Sequence, residues 1–174
     1  MTHAALTTVW AGIILFAVVM YVVMDGFDLG IGILFTRFKV GAERDAAMNS
    51  IAAIWDSNQT WLVLGGGGLM AAFPLAYAIL LPALYAPLTA MLLGLIFRGV
   101  AFKFRWRDPA HRARWDAGFC IGSLVATFAQ GVTLGAVLQG IKIEGRAYAG
   151  GYWDWITPFS ALIRSIAADE NSIA

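Results

Sequence analysis

The sequence contains few charged residues, a single cysteine and two histidines. Only 13% of its 174 residues are charged, against about 25% in an average soluble domain. One cysteine, Cys120, cannot build a disulfide framework or a paired-cysteine metal site. His3 stands at the N-terminus and His111 in a basic stretch. The scarcity of charge, with 60% hydrophobic residues, predicts an integral membrane protein.

The scarcity of histidine also limits redox cofactors. Haem iron in a bilayer normally takes His, Met or Cys as axial ligands, and neither histidine falls within an apolar segment. The remaining candidates in these segments are methionines, which are more often packing residues: Met20, Met24, Met70 and Met91. We therefore predict that the chain alone binds no haem and no metal, and that none of its residues is catalytic.

Long apolar segments separated by short polar stretches predict an all-α integral membrane protein. A spanning helix needs about 20 mostly apolar residues. We predict a single membrane domain over residues 1–174, an antiparallel bundle of four transmembrane helices with the start of a fifth. The helices are expected at approximately 7–36, 47–73, 76–103 and 116–141, with a partial segment from about 156. The opening residues lack the positive region of a signal peptide, so the first helix is expected to be retained.

Proline, glycine and aromatic residues add detail to this arrangement. Pro74 is predicted to mark the turn between the second and third helices, and Pro82 and Pro87 to kink the third. Four glycines at 65–68 predict close helix packing or a local unwinding, because no Lys-Ser/Thr follows them as in a phosphate loop. A membrane-interface belt is predicted from Tyr152, Trp153 and Trp155.

The basic residues predict an orientation. Of the twelve Lys and Arg residues, three lie in the 36–45 loop and five in the 102–116 loop. Both loops fall on one side of the membrane when four helices are counted. The positive-inside rule makes that side cytoplasmic and places the N-terminus outside. We interpret these loops as topology signals and predict no nucleic-acid binding.

Three carboxylates interrupt the apolar segments. A charged side chain at the centre of a membrane helix costs roughly 2.5 to 3.5 kcal/mol on insertion scales. Asp25 and Asp28 lie in the first segment and Asp56 in the second. At 1.5 Å rise per residue, all three are expected about 12 to 16 Å from the basic end, at one depth. Helical spacing puts Asp25 and Asp28 on one face, and Asp56 on a face with Gln59.

Two interpretations of these acids are open. They can form a hydrated, proton-conducting cluster entered from the cytoplasm, because neighbouring desolvated carboxylates titrate together. They can instead form a buried ion pair with Arg98, the only basic residue well inside the third helix, which fixes helix register. One arginine cannot neutralise three aspartates, which favours the first interpretation slightly.

Several motifs together resemble subunit II of cytochrome bd-type quinol oxidases, including their cyanide-insensitive branch. The motifs are MDGFDLGIG at 24–32, IWDSNQTWL at 54–62 and FRGVAF at 97–102, with weaker support from WDWITPF at 153–159. The resemblance implies a subunit of a respiratory enzyme of the bacterial inner membrane that oxidises quinol and reduces dioxygen to water. The haems, types b and d or b alone, would belong to the partner, subunit I. A small accessory subunit and a bound quinone are further features of this resemblance.

The resemblance also implies roles for individual residues. Subunit II would support the haem-bearing subunit and lend acids to a proton pathway from the cytoplasm. By motif match, the pathway residues are Asp25, Asp28, Asp56 and Gln59, and the supporting residues are Trp55, Asn58 and Arg98.

Two departures from the family pattern accompany the likeness. Lys103 stands where the family usually carries an acid, so that site is not carried over. The family also has more transmembrane helices than the four predicted here, which leads us to expect a truncated or partial copy. The alternative hypotheses are a proton or ion transporter, with a discontinuous helix at 65–68, and a non-catalytic assembly protein.

Overall fold

The computed structural model describes residues 2–151 and 154–156, which are mostly helical. Its six α-helices are α1 (His3–Leu34), α2 (Ala42–Ala52), α3 (Trp55–Ala72), α4 (Pro74–Ala83), α5 (Tyr85–Arg107) and α6 (Arg112–Gln139). Short 3-10 turns occupy Phe35–Arg37, Pro109–His111 and Asp154–Ile156. After α6, an antiparallel hairpin pairs β1 (Ile143–Glu144) with β2 (Ala147–Tyr148).

Three helical segments of the described chain are long and apolar enough to cross a membrane. They are His3–Arg37, Tyr85–Arg107 and Pro109–Gln139. The segment at 47–73, predicted as a further span, is not among them, because α3 opens with a polar run from Asp56 to Thr60. The structure therefore supports an all-α membrane protein, but by itself does not establish four spans.

Two predicted helices are each divided in the structure. The helix predicted at 47–73 is interrupted between α2 and α3, where Ile54 leaves helical geometry with φ −122°. The helix predicted at 76–103 is divided at Leu84 into α4 and α5. Pro87 then falls in the first turn of α5, where the missing N–H has no intrahelical partner to lose. Pro74 occupies the first turn of α4, and Pro82 lies inside α4.

The glycines at 65–68 lie within a continuous α3, so this segment is not unwound. Two of them, Gly65 and Gly68, pack against α1, whereas nothing lies within 4 Å of a Cβ added at Gly66 or Gly67. A Cβ added at Gly65 would lie 3.5 Å from a side-chain atom of Val18, and one at Gly68 would lie 3.3 Å from Ile14. The predicted start of a fifth helix lies almost wholly outside the described residues, as do Tyr152 and Trp153 of the predicted belt.

The core lies where α1, α5 and α6 meet. α5 and α6 approach most closely at Gly94 and Gly122, where a Cβ on Gly94 would lie 2.8 Å from the carbonyl oxygen of Gly122. Two apolar clusters fill the adjoining space. One contains Phe35, Met48, Ile51, Ala101, Phe102 and Phe119, and the other Leu29, Met91, Leu95, Ala126 and Ala129.

Candidate functional site

A pair of acids lies buried on one face of α1. Asp25 and Asp28, three residues apart, both have no exposed surface. The Asp25 carboxylate faces α5, where Nη1 of Arg98 lies 3.4 Å from its Oδ1. Arg98 is 1% exposed, so this is a fully buried ion pair in a membrane-spanning segment. This pair matches the alternative interpretation of the sequence, in which an aspartate pairs with Arg98. Asp28 is then a second carboxylate beside the same arginine.

Asn58 of α3 joins the pair. Its side-chain Nδ2 donates to Oδ2 of Asp28 at 2.8 Å and to the backbone carbonyl of Met24 at 3.2 Å. Asn58 is itself buried, so one amide group ties α3 to α1 at the depth of the acids. We call Asp25, Asp28, Asn58 and Arg98 the acid–arginine cluster.

Several polar atoms of the acid–arginine cluster have no hydrogen-bond partner among the described residues. They are Oδ2 of Asp25, Oδ1 of Asp28, and Nε and Nη2 of Arg98. Buried polar atoms in proteins are normally satisfied by protein groups or by ordered water. The cluster therefore offers acceptors and donors to bound water or to a proton held between carboxylates.

Asp56 is not brought to this cluster. Asn58 faces Asp28, and Asp56 precedes it by two residues, about 200° away around the helix. Asp56 accordingly lies on the exposed face of α3. Gln59, on that same side, is half-buried, and its Nε2 lacks a partner among the described residues. Three acids were expected at one depth, but Asp56 does not join Asp25 and Asp28 in one group.

The other predicted supporting residue, Trp55, packs at the start of α3. Its ring lies 5.1 Å from that of Phe102, centroid to centroid. The Nζ of Lys103 lies 5.6 Å from the Trp55 ring. Trp55 therefore holds the first turn of α3 against α5 and does not contact the acids directly.

The sequence analysis missed a polar contact next to Asp25. Nε2 of Gln130, on α6, donates to the hydroxyl oxygen of Tyr21 on α1 at 2.6 Å. Tyr21 is 5% exposed and precedes Asp25 by one helical turn on the same face. The four-residue spacing of Tyr21 and Asp25, and a glutamine in the uncharged part of α6, were the available signals.

A second ionic cluster lies at the basic end of the helices. Arg105 donates to both Asp116 and Asp45, at 2.7 Å to the latter, and Arg44 donates to Asp116 at 2.8 Å. Arg112 lies 3.4 Å from Asp45. The hydrogen bond from Arg105 lowers the pKa of Asp45 below its ordinary value. These contacts attach α2 to α5 and α6, a role that the topology interpretation of these charges did not anticipate.

Aromatic rings separate the two ionic clusters. The Phe119 ring lies 5.5 Å from the Arg98 guanidinium, and the Phe35 ring lies 5.5 Å from that of Arg105. Phe35 and Phe119 contact each other edge to face, with centroids 5.2 Å apart. The acid–arginine cluster is thus closed by aromatic side chains toward the basic end.

The candidate haem and metal ligands among the described residues are dispersed. They include no group of three or more His, Cys, Asp or Glu side chains arranged to hold a metal ion. Both histidines are exposed, and Nδ1 of His111 pairs with Asp108. The Cys120 thiol donates to the Ile33 carbonyl at 3.6 Å. Met91 packs among leucines and alanines.

Comparison with known proteins identifies the family. A family model described as cytochrome bd terminal oxidase subunit II matches residues 6–168. The chain is 36% identical to cytochrome bd-I ubiquinol oxidase subunit 2 of Escherichia coli over 169 residues, which cover 92% of this chain and 44% of that protein. It is 37% identical to cytochrome bd ubiquinol oxidase subunit 2 of Bacillus subtilis over 145 residues, 81% of this chain and 43% of that one.

A third relative is a probable cytochrome oxidase subunit 2 of Haemophilus influenzae, 32% identical over 162 residues, 88% of this chain and 43% of that one. The chain thus spans less than half the length of these curated relatives. The match nevertheless covers most of the chain and includes α1, α3, α5 and α6, which carry the sites described above. The chain belongs to the cytochrome bd terminal oxidase subunit II family.

Proposed function

We propose that this chain serves as the non-haem subunit of a terminal respiratory oxidase that transfers electrons from quinol to dioxygen. Its partner would be a haem-bearing subunit I in the bacterial inner membrane. The chain would support that partner and lend acids to a pathway that carries protons from the cytoplasm to the site of oxygen reduction. Family membership and the acid–arginine cluster together support this role.

The observation that carries the proton-pathway role is the buried pair of Asp25 and Asp28. Two carboxylates in a membrane-spanning helix, opposed by only one arginine, are costly unless they hold a proton or water between them. Both carboxylates keep one oxygen without a partner among the described residues. Groups of this kind can accept a proton from one neighbour and release it to another.

We propose that protons enter through α3. Asp56 lies in the first turn of this helix and is exposed, and the half-buried Gln59 lies one turn further on. Asn58, on the opposite side of the helix, contacts Asp28. Water near Gln59 would connect the two sides, while Trp55 keeps the first turn of α3 against α5. The aromatic rings of Phe35 and Phe119 favour this lateral entry over an axial one.

The arrangement in the membrane is part of the proposal. We place α2 and α3 together as the outward-running span of a four-helix antiparallel arrangement, with α4 and α5 returning inward. Both basic loops then face the cytoplasm and the N-terminus lies outside. A transporter role gains no support, because the predicted discontinuity at 65–68 is continuous helix.

The haem is assigned to the partner in this proposal, since both histidines of this chain are exposed. When bound there, haem supplies the iron that reduces oxygen. The contribution of this chain is confined to proton movement and to packing against the partner. A quinone and a small accessory subunit remain part of the family expectation, and we assign no residue to either.

Replacement of Asp25 by Asn in the assembled oxidase tests the proposal. The amide keeps the shape but cannot release a proton, so we expect oxygen uptake to fall about 100-fold or more with haem absorption unchanged. Asp108→Asn, at a half-buried position near the basic end, is the matched control and should leave turnover intact. Normal turnover and proton uptake in Asp25→Asn, with normal haem content, would refute the role.

A further inference from the structure

The basic residues at the end of α5 differ in whether they have acidic partners. Arg105 is buried and pairs with Asp45 and Asp116. Lys103 and Arg107 are exposed, and neither forms an ion pair with another described residue. The end of this candidate membrane span therefore presents two cations that attract an anion from outside the described chain.

The two cations line one cavity at the end of α5. Its volume is about 340 Å³, and its other lining residues are aromatic: Phe102, Phe104 and Trp106. None of the acidic side chains in the described residues contributes to this lining. Lys103 and Arg107 are four residues apart, so they share a face of the helix. Positive charge beside apolar walls suits the phosphate and glycerol region of a phospholipid.

Cation–π contacts hold two parts of the cavity in place. The Trp106 ring centroid lies 5.1 Å from the guanidinium carbon of Arg105 and 5.2 Å from that of Arg112. Nζ of Lys103 lies 5.6 Å from the centroid of the Trp55 ring on α3. Such contacts between a cation and a ring are attractive, so one wall and one cation of the cavity are positioned before any ligand binds.

An exposed apolar stripe leads from the cavity toward the middle of the span. It consists of Leu93, Ile96 and Val100, which are all exposed, and we call it the apolar stripe of α5. Arg107 follows Val100 by seven residues and Lys103 follows Ile96 by seven, so cations and stripe lie on one side of the helix. From Leu93 to Lys103 the helix rises about 15 Å, which is half of a hydrocarbon core about 30 Å thick.

We propose that this side of α5 binds one anionic phospholipid, with its phosphate between Lys103 and Arg107 and an acyl chain along the apolar stripe of α5. The lysine supplies a point charge, and the arginine can donate two N–H groups to one phosphate. Asp108, the acid next to Arg107 in the sequence, contacts His111 and Trp115 instead. The inference goes beyond the proposed function, because it concerns the bilayer and neither electron nor proton transfer.

The test measures phosphatidylglycerol bound to the purified full chain in a neutral detergent by native mass spectrometry. Phosphatidylcholine with the same acyl chains provides the uncharged comparison, and we expect the chain to retain phosphatidylglycerol preferentially. Lys103→Gln/Arg107→Gln should weaken that binding about tenfold or more, because two attractive charges are lost. Arg37→Gln/Lys39→Gln removes the same charge from exposed positions at the same end of the helices and should leave the binding unchanged.

A second pair of variants separates a lipid from a soluble anion. Ile96→Ser shortens the apolar stripe of α5 and keeps both cations, so we expect it to weaken phosphatidylglycerol binding about threefold or more. Leu15→Ser, at an exposed position of α1, is the matched control and should have no effect. Inorganic phosphate should not displace the lipid, because it gains nothing from the stripe.

Several results would overturn the inference. They are equal retention of the two lipids, unchanged binding in Lys103→Gln/Arg107→Gln, and an equal loss in Arg37→Gln/Lys39→Gln. Displacement by inorganic phosphate with no effect of Ile96→Ser would assign the cavity to a soluble anion. Retention by the chain alone but not by the assembled oxidase would assign this side of α5 to the partner subunit.

Folding of each variant is checked by circular dichroism. If the double variant does not fold, Arg107→Gln decides alone, because the Arg107 side chain makes no hydrogen bond or ion pair with another described residue. Lipid retention is measured without oxygen uptake. A failure here therefore leaves the proposed function untouched, and normal turnover in Asp25→Asn would leave this inference untouched.

Discussion

Arg98 carries a positive charge into the interior of the helices, where it contacts Asp25. Removing both ions from water costs several kcal/mol each, and their attraction offsets that cost only when the geometry is good. The contact is long, and two further Arg98 nitrogens lack partners among the described residues. The pair is therefore weak evidence for stability and fits a site whose charge must change during function.

The residue-scale prediction is a double-mutant cycle on this pair. Arg98→Met keeps much of the side-chain volume but leaves two buried carboxylates without a countercharge. We expect it to lower the free energy of unfolding in detergent by about 3 to 5 kcal/mol. Adding Asp25→Asn should recover more than half of that loss, because one uncompensated charge is removed. Strictly additive effects in chemical denaturation would show that Arg98 and Asp25 are not coupled.

The same residues show how far sequence reasoning reached within the site. Buried acids at one depth, and Arg98 as their candidate partner, followed from helix lengths and the cost of charge in lipid. The exposure of Asp56 did not, because depth along a helix leaves its rotation undetermined and one residue turns a side chain by about 100°. Tyr21 and Gln130 were missed because neither side chain is charged, and the cost of charge in lipid was the signal that located the site.

At the scale of elements, the crossing of α5 and α6 leaves no space for larger side chains at its point of closest approach. Gly94 and Gly122 face each other so closely that each would place a Cβ under 3 Å from the backbone of the opposite helix. Within a lipid bilayer the hydrophobic effect does not drive helices together, so they associate through close van der Waals packing at small residues. This crossing also sets the position of Arg98, one turn after Gly94 on the same helix.

We predict that Gly94→Ala forces α5 and α6 apart. The obstructing atoms are backbone atoms of Gly122 and Ala126, which cannot rotate away, so the change should cost about 1 to 3 kcal/mol of stability. Gly131→Ala is the control on α6, since nothing lies within 4 Å of an added Cβ there. Thermal denaturation in detergent should separate the two, and equal melting temperatures would contradict the packing described.

Element boundaries also mark a limit of the sequence analysis. Apolar residues run on through Leu84 without a charge, so hydropathy predicted one helix where α4 and α5 are separate. The break at Ile54 is equally hidden, because its neighbours are apolar and no proline or glycine stands there. The break at Leu84 falls between Pro82 and Pro87, the two prolines that were predicted to kink this helix. The resemblance to the subunit II family, which used longer motifs, is confirmed by the family match.

At the scale of the molecule, charge is arranged in two layers. The cluster of Arg44, Asp45, Arg105, Arg112 and Asp116 secures α2 at the basic end. The acid–arginine cluster lies deeper, beyond the aromatic rings of Phe35 and Phe119. The charged side chains of the outer layer form ion pairs with one another, whereas several polar atoms of the inner layer have no hydrogen-bond partner among the described residues. We infer that the outer layer has a structural role and the inner layer the variable protonation.

The last prediction concerns the number of spans and their direction. Single cysteines introduced at Thr2, Lys39, Ala110 and Glu144, all exposed, can be labelled by an impermeant maleimide in a Cys120→Ser background. With four spans and an outer N-terminus, right-side-out vesicles should label Thr2→Cys and Glu144→Cys. Inverted vesicles should label Lys39→Cys and Ala110→Cys. The two basic-loop positions distinguish four spans from three, because three spans would place Lys39 and Ala110 on opposite sides of the membrane. That result would remove α3 as a spanning helix and, with it, the proposed entry of protons through Asp56.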